Sequence, residues 1–201
     1  MADVHETVAA IRAGEPVILP TDTVYGLCAT PYVEEAAAHV YRLKCRPDAM
    51  PSALVCRDLD TMFECVPELY GQAGVYAQAL LPGPYTLVLP NPARRFRWLT
   101  GDAQDTIGIR VPQADGLFRE VLDEVGVVTA TSANRHQGLD PKRLEDVPDE
   151  IRAGCAAELD GGELPGIPST VVDLTGPEPK ILREGAVPAD EVSKRLAAFA
   201  A

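Results

Sequence analysis

Seven short apolar runs, rich in β-branched residues, recur along the chain: PVILP (16–20), SALVC (52–56), YTLVLP (85–90), TIGIRV (106–111), GVVTAT (126–131), STVVDL (169–174) and PKILRE (179–184). Between several of them lie stretches with the spacing of amphipathic helices, clearest at 33–44, 67–81, 114–125 and 188–199 and shorter at 142–152. An N-terminal helix with Val4, Val8 and Ile11 on one face precedes the first run. Strands alternating with helices pack as an α/β domain, here with one twisted, mixed sheet. The 18 prolines are distributed and mark element ends, and no repeat, low-complexity tract or composition break divides the chain. The expectation is a single domain over residues 1–201.

Aromatic residues make up 5% of the chain, so the core must be built from Ala, Val, Leu and Ile. No apolar stretch approaches the ~20 residues of a membrane span. The N-terminus carries acids and lacks the long apolar region of a secretory signal. The five cysteines (Cys28, Cys45, Cys56, Cys65, Cys155) are odd in number and never spaced as C-x-x-C, which fits reduced thiols in the cytoplasm. His5, His39 and His136 lie far apart and form no H-E-x-x-H, so no metal site held by the protein itself is expected. A formal net charge of −12 argues against unaided binding to a long phosphate backbone. It also makes each local group of cations informative.

Several clusters could carry chemistry. If the strand from Val17 runs on, Thr21, Thr23 and Tyr25 share one face as a row of hydroxyls, with Asp22 and Val24 on the other. The alternative is a strand end closed by side-chain turns, with Gly26 providing the bend. Lys44 and Arg46 end a helix just before Pro47, where the helix dipole favours cations and where two cations could also hold phosphate. TATSANRHQG (129–138) brings Ser132 and Asn134 two residues apart, either toward one ligand or as an ordinary strand-to-helix connection. Arg110 lies inside an apolar strand and needs an anionic partner, protein or ligand. Residues 166–187 read as two strands joined at Gly176-Pro177, with Ser169 opening the first and Arg183 ending the second. RRFRW (94–98) mixes cations and aromatics as a nucleic-acid contact would, although its setting suggests a solvated loop. Neither standard glycine-rich phosphate loop is present, nor a G-x-S-x-G elbow.

Taken in order, PTDTVYGL (20–27), LKCRP (43–47), PGPYTLVLP (82–90), IGIRVP (107–112), TSAN (131–134), STVVDLTG (169–176) and ILREGAV (181–187) resemble the motifs of the YrdC-like L-threonylcarbamoyladenylate synthases, over about residues 8–187. The resemblance implies a large, strongly twisted mixed sheet with flanking helices around a concave, positively lined cavity. It implies an enzyme that turns L-threonine, bicarbonate or CO₂, and ATP into threonylcarbamoyl-AMP and pyrophosphate. That is the first step of N6-threonylcarbamoyladenosine formation at position 37 of tRNA. It further implies a cytoplasmic location, Mg²⁺ carried mainly on the ATP phosphates, and hand-off of the product to a tRNA threonylcarbamoyltransferase complex. Carried over by motif, Thr23, Tyr25, Arg110 and Ser169 meet threonine. Lys44, Arg46, Thr106, Ser132, Asn134 and Arg183 meet the nucleotide, with Lys44 and Arg46 as the catalytic cations and Ser132 between the two substrates. Asp22 is read as structural.

This chain departs from the family pattern in places. Cys45 stands where glycine is common, Met50 and Ser52 replace a polar residue and a leucine, His136 and Gln137 replace Ser-Gly, and Lys142 replaces a small hydroxyl residue. The expectation is also of the family's short, single-domain form, without the C-terminal domain of longer members. Two other readings follow: a catalytically weak paralogue that binds nucleotide or RNA, and a carbamoyl-transfer domain of the kind found inside larger carbamoyltransferases.

Overall fold

All seven apolar runs become strands of one mixed nine-stranded sheet. The computed structural model describes residues 2–45, 50–69 and 71–200. The strands are β1 (Val17–Pro20), β2 (Tyr25–Ala29), β3 (Ala53–Cys56), β4 (Tyr85–Pro90), β5 (Thr106–Arg110), β6 (Val127–Ser132), β7 (Ala157–Glu158), β8 (Thr170–Asp173) and β9 (Lys180–Arg183). They lie in the order β7-β1-β2-β6-β3-β5-β4-β8-β9. The β1/β7, β3/β5 and β4/β8 pairs are parallel and the remaining neighbours antiparallel.

Two strands were not expected. The chain does not run on past Pro20 but turns back, so that Pro20 pairs with Tyr25 and Val17 with Cys28. The turn is closed by a side chain: Thr21 Oγ1 donates to the Val24 carbonyl at 2.6 Å and accepts from the Thr23 and Val24 amides. Gly26 sits within β2 and does not make the bend. A Cβ there would lie 2.9 Å from Thr21 Cγ2, so glycine lets the turn fold down onto the strand. β7 is a two-residue edge too short to show a pattern.

The helices are α1 (Val4–Arg12), α2 (Glu34–Leu43), α3 (Leu59–Cys65), α4 (Gln72–Leu80), α5 (Gly116–Val125), α6 (Asp149–Ala153) and α7 (Ala189–Ala200). Asp3 starts α1 with a capping box to Glu6, and Val8 and Ile11 face inward. α3 was not expected. It is seven residues long and opens on Asp58, whose carboxylate accepts from the Thr61 amide at 2.8 Å. The helix expected over 142–152 is α6 preceded by a 3-10 turn at Leu144–Asp146, with Pro148 separating them. RRFRW is a largely exposed loop, as expected, and it is tied to the rest of the fold. Trp98 Nε1 donates to the Pro31 carbonyl at 3.0 Å, and Arg94 and Arg95 pair with Asp105 and Glu68.

Period-two alternation sorts the sheet into faces. On one face Leu54, Tyr85, Leu87, Leu89, Ile107, Ile109 and Val172 pack in a core with α3, α4 and α7. On the other, Val17, Leu19, Cys28, Val55 and Val128 pack under α1 and α5. At the edge of the region covered by α1 and α5, that second face carries small residues in register across three strands, flanked by Val88 on β4. Ala130 pairs with Ala53, Ala53 with Gly108, and Gly108 with Val88. An uncovered stretch floored by small side chains is a cavity.

Candidate active site

The cavity has a volume of about 280 Å³ and is ringed by hydroxyls. Thr21 and Thr23 come from the β1–β2 turn, Ser52 precedes β3, Thr86 lies on β4, Thr106 on β5, Ser132 on β6 and Ser169 before β8. The charged side chains on its wall, among the described residues, are Arg110, Arg183 and Asp140.

Arg110 ends β5 with its side chain 10% exposed, and it is paired within the protein. Its Nη2 donates to Asp22 Oδ1 at 2.6 Å, and the Asp22 side chain is 8% exposed. The hairpin turn thus brings Asp22 to the same place as Thr23, whose Oγ1 lies 3.4 Å from the same nitrogen. Asp22 is not on an opposite face, because there is no continuing strand to define one. Two buried atoms of the pair, Asp22 Oδ2 and Arg110 Nε, have no hydrogen-bond partner. Each such orphan costs about 1–3 kcal/mol.

On the far side, Ser169 Oγ lies 2.7 Å from Thr86 Oγ1, and Arg183 Nη2 donates to the Ser169 carbonyl at 2.8 Å. Thr170 Oγ1 donates to the Val187 carbonyl and accepts from the amides of Gly185 and Val187, which fastens the Arg183–Val187 stretch to β8. A Cβ on Gly185 would come within 2.2 Å of the Pro168 carbonyl oxygen, so this closure requires glycine. The Arg183 guanidinium is held below its ordinary value, first by desolvation; Arg110 lowers it and Asp140 opposes.

Not every expected residue lines the cavity. Tyr25 faces the other side of the hairpin. It packs with Ile18 and Leu27 against α2, its hydroxyl lies 3.0 Å from Asp160 Oδ1 and 2.9 Å from the Gly162 carbonyl, and it accepts from the Gly161 amide. Burial pushes its phenol up to about 12, with Asp160 adding to the shift. Tyr25 belongs to the scaffold and does not wall the pocket. Lys44, the C-cap of α2, is 4% exposed. Its ammonium donates to the carbonyls of Ser132 (2.5 Å) and Asn134 (3.0 Å) and to the Asn134 side chain. Asn134 donates in turn to the Gly138 carbonyl and, at 3.2 Å, to Asp140. Lys44 and Asn134 therefore build the β6 end of the wall from behind. Arg46 lies outside the described residues. Cys45 has φ +50°, a left-handed conformation that glycine adopts freely and other residues adopt at a cost of roughly 1–2 kcal/mol.

Of the expected site residues, Thr23, Thr106, Arg110, Ser132, Ser169 and Arg183 are thus brought to one cavity. Sequence reasoning missed Thr86 and Asp140 on the wall; Asp22, read as structural, does not line the cavity but pairs with Arg110, which does. Thr86 was legible as the polar member of alternating YTLVLP, whereas Asp140 had no pattern around it.

Comparisons with known proteins identify the family. The Sua5/YciO/YrdC family profile, described as "Telomere recombination", matches residues 9–185. The chain belongs to this family. Among Sua5/YciO/YrdC relatives, a protein named threonylcarbamoyl-AMP synthase from Pyrococcus abyssi is 32% identical over 185 residues, which is 92% of this chain and 54% of that one. A Mycobacterium tuberculosis relative is 34% identical over 197 residues, 96% of this chain and 89% of that one. Among solved structures, P. abyssi Sua5 complexed with L-threonine superimposes with a TM-score of 0.87 at 31% identity, covering 96% of this chain and 56% of that one. Escherichia coli YciO superimposes with a TM-score of 0.81 at 27% identity, covering 92% and 90%. The chain thus spans little more than half the length of the Pyrococcus protein and nearly all of the Mycobacterium and E. coli ones. Among the described residues no helix is long and apolar enough to cross a membrane.

Proposed function

We propose that this chain is a threonylcarbamoyl-AMP synthase, a nucleotidyltransferase of the cytoplasm that forms one domain over 1–201. The observation that carries the proposal is the meeting of Thr23, Arg110 and Ser169 with Thr106, Ser132 and Arg183 around one cavity. The name of the Pyrococcus relative and the L-threonine bound to its structure support it.

In this reading threonine lies near Thr23, Arg110 and Ser169, with Arg110 toward its carboxylate. ATP lies toward Thr106, Ser132 and Arg183, with Arg46 on its phosphates, and Lys44 and Asn134 hold the Ser132 segment in place. The threonine amine adds to CO₂ and forms a carbamate. A carbamate oxygen attacks the α-phosphorus of ATP, and pyrophosphate leaves. The substrate supplies the nucleophile, so the protein needs to orient two substrates, exclude water and neutralise phosphate charge. Hydroxyls and guanidinium groups suffice for that.

Mg²⁺ on the ATP phosphates would supply part of the neutralisation. Among the described residues no three His, Cys, Asp or Glu side chains converge, and Asp140 is the carboxylate of the described cavity wall. That donor set fits an ion held mainly by phosphate oxygens. The product, an activated carbamoyl adenylate, then requires an acceptor, which we place in a tRNA threonylcarbamoyltransferase complex.

The test is purified protein with L-threonine, bicarbonate, Mg²⁺ and ATP. Threonine-dependent release of pyrophosphate with formation of an adenylate is the expected result. Its absence from folded protein that still binds ATP would instead support a nucleotide-binding paralogue.

A further inference from the structure

We infer that Asp22 is a positioning residue whose ion pair with Arg110 makes the amino-acid end of the cavity electroneutral, and so selective for a zwitterion over a plain anion. The inference rests on the proposed function and concerns how that site chooses its amino-acid substrate. A lone arginine in the wall of a small cavity attracts any carboxylate, including those without an amine. Here Arg110 is not alone. Asp22 Oδ1 lies 2.6 Å from Arg110 Nη2, and both side chains are at least nine-tenths buried. At the same cavity the second guanidinium, Arg183, is offset by Asp140.

The pairing fixes more than charge. It holds the guanidinium against the turn that carries Thr23. The pair is sealed in the protein, since Asp22 Oδ2 and Arg110 Nε are both buried. An α-amino acid carries an ammonium beside its carboxylate, so its net charge is zero. Its 2-hydroxy counterpart carries the carboxylate without the ammonium charge. An electroneutral pair therefore favours the first, whereas an unpaired Arg110 would favour the second at least as well.

The experiment measures binding of L-threonine and of 2,3-dihydroxybutanoate, its 2-hydroxy counterpart, to wild type, Asp22→Asn and Asp22→Glu by calorimetry, with ATP binding and thermal unfolding recorded alongside. Wild type is expected to prefer threonine. Asp22→Asn should weaken threonine on the order of tenfold to a hundredfold and collapse the preference, with ATP affinity near wild type. Asp22→Glu restores the charge and should retain the preference even where both affinities fall. A folded Asp22→Asn protein with the wild-type preference overturns the inference, as does an Asp22→Glu protein that loses the preference as fully as Asn. Wild type that binds neither compound overturns the proposed function itself.

Discussion

The ammonium of Lys44 lies 3.0 Å from the backbone carbonyl of Asn134, tying the end of α2 to the segment that follows β6. The cation of the K-x-R motif that sequence reading aimed at phosphate is in this structure bonded to the protein, and it shapes the wall on which Ser132 is presented. The two cations of the motif should then fail differently. Lys44→Met leaves the carbonyls of Ser132 and Asn134 without their donor. It should destabilise the protein by about 2 kcal/mol as well as weaken ATP binding. Arg46→Ala should abolish turnover while leaving the fold intact, since in the proposed reading it removes charge from the ATP phosphates. Urea unfolding beside the pyrophosphate assay separates the two, and equal stability of both variants would refute the scaffold role of Lys44.

Tyr25 provides a contrasting case within the PTDTVYGL motif. Its hydroxyl serves the 160–162 loop and faces away from the cavity. Tyr25→Phe should cost about 1–2 kcal/mol of stability and leave both Michaelis constants near wild type. A large rise in the threonine constant without loss of stability would return Tyr25 to the site.

These two residues show where sequence reading stopped. The strands were legible because alternation in YTLVLP and TIGIR separates core positions such as Leu87 and Ile109 from cavity positions such as Thr86 and Gly108. The β1–β2 hairpin was legible only in part, as the alternative of a strand end closed by side-chain turns: the Thr21 hydroxyl does close it, but the bend lies at TDTV and not at Gly26, which hid the return strand. Reading a continuous strand through it placed Tyr25 in the pocket and Asp22 on the face opposite the hydroxyls, whereas the reversal turns Tyr25 away from the cavity and brings Asp22 onto Arg110. The Lys44 network joins residues about ninety positions apart, a separation at which local spacing carries no information. α3 was hidden by its seven-residue length; its usable marker was the capping Asp58.

Asp58 also sets an acid limit. The Thr61 amide, then Arg57, hold its carboxylate down at about 2, below its ordinary 3.8. A depressed acid contributes stability that is complete above the unfolded value and is lost as pH falls through the folded one. Stability should therefore decline between about pH 4 and pH 2 in part through this group. Asp58→Asn keeps an N-capping side chain but cannot titrate. Its stability measured by denaturant unfolding should fall less steeply over that interval, and a slope equal to wild type would show that other carboxylates control the acid limb.

The cavity floor gives the most direct test of where ligands sit. Gly108 lies between Ala53 and Val88, and a Cβ added to it would meet Ala53 at 3.6–3.7 Å, an ordinary contact. Larger side chains at this position point into a cavity of about 280 Å³ and away from the core. Glycine inside a strand also weakens it. Gly108→Leu should therefore fold with a midpoint at or above that of wild type, while binding of ATP and threonine is lost because the side chain occupies their space. Gly108→Ala should fold equally well and lose part of the affinity. Calorimetric titration and thermal unfolding of the two variants decide the matter. A stable Gly108→Leu protein that still binds both substrates would place their site somewhere other than this sheet face.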